Sequence, residues 1–224
     1  MDFDSDKERC LQESENYLLL HHDLISGIVA AMEARDPHTE HHSQRVAAMT
    51  ECLCILLGLP GQVQSHYHIA AHLHDVGKIG ISDAVLFKKG TLTQAEWGHM
   101  RNHPVIGYEI LCPIDCFKEI ATIVLHHHER YDGNGYPDGI AAKDIPLCSR
   151  IIAIADSTDA MLSNRSYRSA ISEEQCRGEL FAGKGTMYDP ALVDLALEHW
   201  REFMQARKTA DGVRGPAQCY RLRS

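Results

Sequence analysis

His126-His127-His128-Glu129-Arg130-Tyr131-Asp132-Gly133-Asn134-Gly135-Tyr136-Pro137-Asp138-Gly139 is the stretch on which the reading of this chain turns. Phe117, Ile120, Val124 and His127 fall at helical spacing, so the histidines close an amphipathic helix. Asp-Gly, Asn-Gly and Pro-Asp-Gly follow at once, each a turn signal. A polar loop tied to a cluster of imidazoles adds little to stability. Upstream lies a second pair, His74-Asp75, followed by Gly77-Lys78. The expectation is that the two stretches meet in space around metal ions.

Outward from this stretch the pattern is helical. Leu11, Leu18, Ile25 and Met32 recur at a spacing of seven within a helix expected over 10–35. That row docks on the domain, with pairing to a second copy, a homodimer, as the alternative. Asp36-Pro37 reads as an N-cap followed by proline at the first helical position, opening a helix to about Gly58. After Leu59-Pro60-Gly61 a further helix is expected from about Gln62 to Asp75, then a loop from Lys78 to Thr91. Thr93 with Glu96, and Ser172 with Gln175, have capping-box spacing. His103-Pro104 interrupts the helix that follows Thr93, and Pro146 opens a very apolar helix to about Leu162. The helix begun at Ser172 stops at Gly183, and Asp189-Pro190 starts a last helix through about Met204. No segment has a useful strand period. The fold expected is all-α: one helical-bundle domain over 36–206, an N-terminal helix within 1–35, and a polar tail over 207–224.

The bulk numbers narrow the function. A chain of 224 residues suits one sizeable domain with its own core. No apolar run approaches the roughly 18 residues of a membrane span, and no secretory pattern is visible, so a cytoplasmic protein with no membrane partner is expected. The net charge of −9, with no basic stripe, argues against a nucleic-acid polymer as partner. A small phosphate ester remains compatible. The eight cysteines are scattered through helical patterns and read as reduced core thiols. Fifteen histidines against five phenylalanines and two tryptophans lean toward metal.

His66, His68 and His199 read as solvated side chains on helix faces. His42, His74, His103, His127 and His128 differ, because each lies at a helix end or beside a breaker or an acidic residue. Neutral imidazole and carboxylate together suit divalent transition metals. Asp156 ends the apolar run Ile151-Ile152-Ala153-Ile154-Ala155. A buried carboxylate must be hydrogen-bonded, paired or bound to a cation. A salt bridge to Arg150 or Lys78 would satisfy it, but a metal explains the histidines as well.

These residues form an ordered string that resembles the HD-GYP family of bacterial cyclic-dinucleotide phosphodiesterases. The string runs through Asp36, Thr39, His42-Ser43-Gln44-Arg45-Val46, His74-Asp75-Val76-Gly77-Lys78, His103-Pro104 and Gly107. It continues through His127-His128-Glu129-Arg130, Asp132-Gly133 and Gly135-Tyr136-Pro137, then Ile145-Pro146, Arg150-Ile151 and Ala155-Asp156. It ends at Asp159-Ala160-Met161, Arg165 and Tyr167-Arg168. The resemblance implies a helical HD-type domain that hydrolyses cyclic di-GMP, with cyclic GMP-AMP as the alternative substrate and a non-catalytic signalling module as the rival reading.

It also implies two divalent metals, iron or manganese by the family's habit, with zinc, nickel or cobalt compatible with the donor set. His42, His74, Asp75 and Asp156 would serve one metal, and His103, His127 and His128 the other, with Asp75 bridging. Lys78 either contacts the attacking water and the phosphate or orients Asp75. Arg165 and Arg168 match the segment where basic side chains meet substrate. The Gly135-Tyr136-Pro137 loop would shape the site or dock other signalling domains. The chain departs from the family pattern in places. His38 stands where three-metal members carry Glu and others an aromatic; four residues before His42, it would share a helix face with it, near the site or on a third metal. Ser149 replaces a small apolar residue, Ser166 a proline, and Thr158 a bulky aromatic, which would widen a pocket wall.

Overall fold

The computed structural model describes residue 25 and residues 27–31, 41–164 and 169–212. Ten α-helices and no strand lie within that span. They are α1 (His42–Leu56), α2 (Gly61–Leu73), α3 (Asp83–Leu86), α4 (Gln94–Met100) and α5 (His103–Leu111), then α6 (Lys118–Leu125), α7 (Leu147–Leu162), α8 (Glu173–Ala182), α9 (Pro190–Glu198) and α10 (Trp200–Gly212). A 3-10 turn, Val76–Gly80, continues the chain beyond α2.

Helix α1 lies at the centre, packed on α2, α7 and α10. Its stripe of Val46, Met49 and Leu53 is fully buried, as the spacing requires. Leu73 of α2, Ile120 and Val124 of α6, and Ile151, Ile152 and Ile154 of α7 close over it. Ile25 and Val29 are buried in the same cluster. Cys54, Cys148 and Cys176 are buried in this core and form no disulfide.

The caps follow the sequence. Thr93 and Ser172 each accept a hydrogen bond from the N3 amide and are reciprocated by Glu96 and Gln175. Asp189 caps α9, with proline in the first turn. Gly183 ends α8.

The loop expected from Lys78 to Thr91 carries the short helix α3, and three boundaries differ from expectation. Helix α1 starts at His42 rather than at Pro37, because His41 has φ 57 and cannot continue a right-handed helix. The last helix is two, broken at His199 (φ −103, ψ 34) so that Trp200 and Phe203 turn into the core. The expected tail is helical as far as Gly212, since α10 runs on past Met204. Thr158 lines no widened wall: it is fully buried, its hydroxyl donating to the Ile154 carbonyl at 2.7 Å. Ser149 is buried as well and donates to the Ile123 carbonyl at 2.8 Å, one turn before the histidine cluster. The expected helix over 10–35 lies largely outside the described residues, as do Asp36-Pro37 and 213–224.

The 3-10 turn must press against α5. A Cβ on Gly77 would stand 1.9 Å from the His103 carbonyl oxygen and 2.5 Å from the Gly107 nitrogen. Both contacts are backbone, so nothing flexible can give way. Gly77→Ala is expected to lose about 3 kcal/mol, the upper part of the overpacking range. Gly178→Ala, in open space on α8, is expected to gain about 0.4–1 kcal/mol. Paired urea denaturation curves check both signs.

Candidate metal centre

Three imidazoles are aimed by one device. His74 is the C-cap of α2, His103 follows the end of α4, and His127 follows the end of α6. The last carbonyls of a helix have no partner inside it. Each ring takes the carbonyl three residues back. His74 Nδ1 lies 2.7 Å from Ala71 O, His103 Nδ1 2.8 Å from Met100 O, and His127 Nδ1 2.6 Å from Val124 O. A carbonyl oxygen accepts and never donates, so each Nδ1 carries the proton and each Nε2 presents a lone pair.

Those lone pairs converge. His103 Nε2 and His127 Nε2 face each other at 3.3 Å, acceptor against acceptor. His74 Nε2 is buried with no hydrogen-bond partner among the described residues. A cation satisfies both arrangements. His103, His127 and His128 form one group and His42, His74 and Asp75 another, the ligand atoms of each lying within 4.8 Å of one another. Asp75 stands between them. Its Oδ1 is 3.4 Å from His103 Nε2, while its Oδ2 is 3.4 Å from His74 Nε2 and 4.0 Å from His42 Nε2. Asp156 joins the second group, its Oδ1 3.3 Å from His42 Nε2. The salt bridges that could have engaged Asp156 go elsewhere: Arg150 pairs with Asp189, and Lys78 with Asp75 at 2.6 Å. Lys78 reaches Asp75 because residues three apart eclipse in a 3-10 turn.

Burial sets the protonation of this centre. It pushes His103 down to about 3 and His127 well below the usual imidazole range, with neighbouring rings adding to the fall. His128 is lowered for the same reason. All three are neutral at pH 7, the state in which imidazole binds metal. Burial opposes ionisation of Asp75, but Lys78, His74 and His103 outweigh it and hold the carboxyl well below its ordinary value. Asp156 is likewise held down against burial, chiefly by its hydrogen bond to His42. His42 is the exception. Burial lowers it, yet hydrogen bonds to Asp156 and Asp159 raise it to about 9.

Asp159 stands in the family-like string, but the resemblance implies no site role for it. Its buried carboxylate accepts from His42 Nδ1 at 2.7 Å, Arg45 Nε at 2.7 Å and Arg207 Nε at 2.7 Å. The partners come from α1 and α10, far away in sequence, so no local pattern could have found them. Of the remaining expected site residues, His38, Arg165 and Arg168 lie outside the described residues. The face that His38 is expected to share with His42 therefore lies outside the described residues as well.

The Gly135-Tyr136-Pro137 loop packs directly on the histidine turn. A Cβ on Gly135 would meet the Arg130 nitrogen at 2.3 Å and the Glu129 Cα at 2.5 Å, so close approach demands glycine there. The buried Glu129 carboxylate clamps the loop from below, accepting the Asp138 amide at 2.7 Å and the Gly139 amide at 2.9 Å. The Tyr136 ring lies over His128 with centroids 5.0 Å apart, and the Arg101 guanidinium lies over the Tyr136 ring, 5.3 Å from its centroid. Tyr136-Pro137 is a cis peptide.

A proton on His42 Nε2 competes with a cation there. Metal affinity is therefore expected to rise as pH rises toward about 9 and then level off. Asp159→Asn removes one of the groups that hold that proton and that orient the ring. The variant is expected to bind metal about 10- to 100-fold more weakly above pH 9, with its pH dependence moved to lower pH. Competition titrations against a chromophoric chelator check both shifts.

Comparison with known proteins agrees with this geometry. Residues 28–192 match the family model described as HD domain. The chain is 43% identical over 190 residues to a 3′3′-cGAMP-specific phosphodiesterase of Vibrio cholerae, covering 83% of this chain and 36% of that protein. It is 42% identical over 175 residues to the cyclic di-GMP phosphodiesterase response regulator RpfG of Xanthomonas campestris, covering 77% of this chain and 46% of that protein. The chain thus spans between a third and a half of the length of these curated relatives. Among solved structures, the cyclic GMP-AMP specific phosphodiesterase V-cGAP3 of Vibrio cholerae shares the fold with a TM-score of 0.64, at 17% identity, over 88% of this chain and 54% of that one. The chain belongs to the HD domain family.

Proposed function

We propose that this chain is a cytoplasmic metal-dependent phosphodiesterase that opens cyclic di-GMP to linear pGpG. The observation that carries the reading is Asp75, whose two carboxylate oxygens face opposite histidine groups. In this reading His42, His74, Asp75 and Asp156 hold one divalent metal, His103, His127 and His128 hold a second, and Asp75 spans the two. Iron or manganese is the assignment, and zinc, nickel and cobalt suit the same mixed nitrogen and oxygen donors. Two such cations would supply Lewis-acid charge to a phosphodiester and an activated water at neutral pH.

The chain's own residues set the stage for that chemistry. The carbonyl bonds to Nδ1 fix the rings of His74, His103 and His127 before any ligand arrives. Lys78 neutralises Asp75, and its partly exposed ammonium stands beside the centre where a phosphate would bind. Asp159 aims His42. Tyr136, lying on His128, walls one side of the centre, and the loop that carries it also offers a face to other signalling domains. Arg165 and Arg168 bind substrate in this reading, as the family resemblance implies.

A second substrate, cyclic GMP-AMP, is favoured by one observation: the relative at 43% identity is named for 3′3′-cGAMP. Both compounds are to be tested on anaerobically purified chain, with metals counted on the same batch and products separated by chromatography. Metal-dependent conversion of cyclic di-GMP to pGpG or GMP is expected, and Asp75→Ala is expected to bring turnover below detection. Full activity in that variant would sink the two-metal reading. Bound metal with no hydrolysis of either dinucleotide would leave a binding module instead.

A further inference from the structure

We infer that Arg101 is a substrate-positioning residue, its guanidinium set on the Tyr136 ring to bind a phosphate of the cyclic dinucleotide. The inference rests on the phosphodiesterase reading above. Arg101 is the C-cap of α4, directly after Met100, and the Met100 carbonyl holds the His103 ring. The backbone that carries Arg101 is therefore pinned by a residue of the candidate centre. At the other end, its Cζ lies 5.3 Å from the Tyr136 centroid. Tyr136 in turn lies on His128, centroids 5.0 Å apart and planes inclined by 31°. Guanidinium, phenol and imidazole thus stand in one series leading to the centre.

The charge pattern singles Arg101 out. Among the described residues, these other cations near the centre already have carboxylates: Lys78 has Asp75, Arg45 and Arg207 have Asp159, Arg130 has Asp132, and Arg150 has Asp189. Arg101 is exposed, and among the described residues no carboxylate lies within ion-pair distance of it. An aromatic face holds a guanidinium without using its N–H groups, which point outward in a planar fork that matches a phosphate. A cyclic dinucleotide carries two phosphodiesters. With one at the metals, the other is an anion in need of a cation, on a protein whose net charge is −9. Tyr136 serves as the support, its ring in contact with both the Arg101 guanidinium and the His128 imidazole.

The test is steady-state kinetics of the metal-loaded full chain on cyclic di-GMP and on bis(p-nitrophenyl) phosphate, a diester with a single phosphate. Arg101→Ala and Arg101→Gln are expected to raise KM for cyclic di-GMP about 10- to 100-fold, the effect of losing a charge-assisted hydrogen bond. Their kcat should fall far less, and the small diester should be affected far less. Arg101→Lys should recover part of the loss by restoring the charge without the fork. Arg201→Ala, which removes an exposed cation from α10, should match wild type on both diesters. A wild-type KM for cyclic di-GMP in Arg101→Ala, or equal losses on both diesters, would overturn the role of Arg101 alone. Turnover of the small diester with no cyclic dinucleotide accepted would overturn it while leaving the metal chemistry standing. No turnover of either by the wild type would remove the phosphodiesterase reading and this inference with it.

Discussion

The hydrogen bond from an imidazole Nδ1 to a helix-end carbonyl, made three times over, is the constraint on which the centre depends. Each bond fixes a ring's tautomer and its rotation together. Without it, the lone pair on Nε2 would have no defined direction. The carbonyls of Ala71, Met100 and Val124 are available because helices α2, α4 and α6 end there. The apolar core then decides where those ends point. Leu73 sits one residue before His74, and Val124 three before His127, both fully buried. Packing and ligand geometry are thus set by the same residues. A bond of this kind contributes about 1 kcal/mol of stability, while losing it would strand a buried carbonyl at a cost of about 1–3 kcal/mol.

Around the rings lies a problem of charge. Asp75, Asp156 and Asp159 are held in surroundings where an unpaired carboxylate costs several kcal/mol. The solutions form a chain. Lys78 answers Asp75, His42 bridges Asp156 and Asp159 with one nitrogen each, and Arg45 and Arg207 complete Asp159. His42 is therefore both a neutraliser of buried charge and a candidate ligand. That dual role explains why it keeps its proton to about 9 while His103 falls to about 3. One carboxylate on each nitrogen, rather than a carbonyl on one and a lone pair on the other, makes the difference.

Residues with local meaning are legible in the sequence. Capping boxes at Thr93 and Ser172, the stop at Gly183 and the proline starts at His103-Pro104 and Asp189-Pro190 are written within four residues of where they act. The histidines and Asp75 are legible because imidazoles at helix ends are chemically unusual and because their order matches a known family. Long-range pairing is not. Arg45 meets Asp159 across 114 residues, and Arg101 meets Tyr136 through a loop whose path no periodicity encodes. Gly135 carries a signal with a different cause from the one expected: it is needed for close approach to Glu129 and Arg130, whereas a tight turn is the plainer expectation. The start of α1 is misplaced by sequence alone because a good cap at Asp36-Pro37 says nothing about His41 adopting a left-handed conformation five residues later.

The far end of the chain shows how hydropathy and charge can disagree about where a domain stops. The apolar rhythm of the last helix finishes at Phe203 and Met204, both buried, so a boundary near residue 206 follows from packing alone. Arg207 lies just past it. Its guanidinium donates to Asp159 at 2.7 Å and to Ser163 at 2.9 Å, on the same carboxylate that orients His42. Helix α10 packs along α1, which brings Arg45 and Arg207 to Asp159 from two elements at once. Removing one of two guanidiniums from a buried carboxylate raises the cost of its charge, and His42 would then have to carry more of the compensation. A stronger hold on the His42 proton follows, and a proton held more tightly at that ring is harder for a cation to displace. The last helix therefore belongs to the candidate metal centre electrostatically, although none of its side chains is a ligand in the proposed two-metal arrangement.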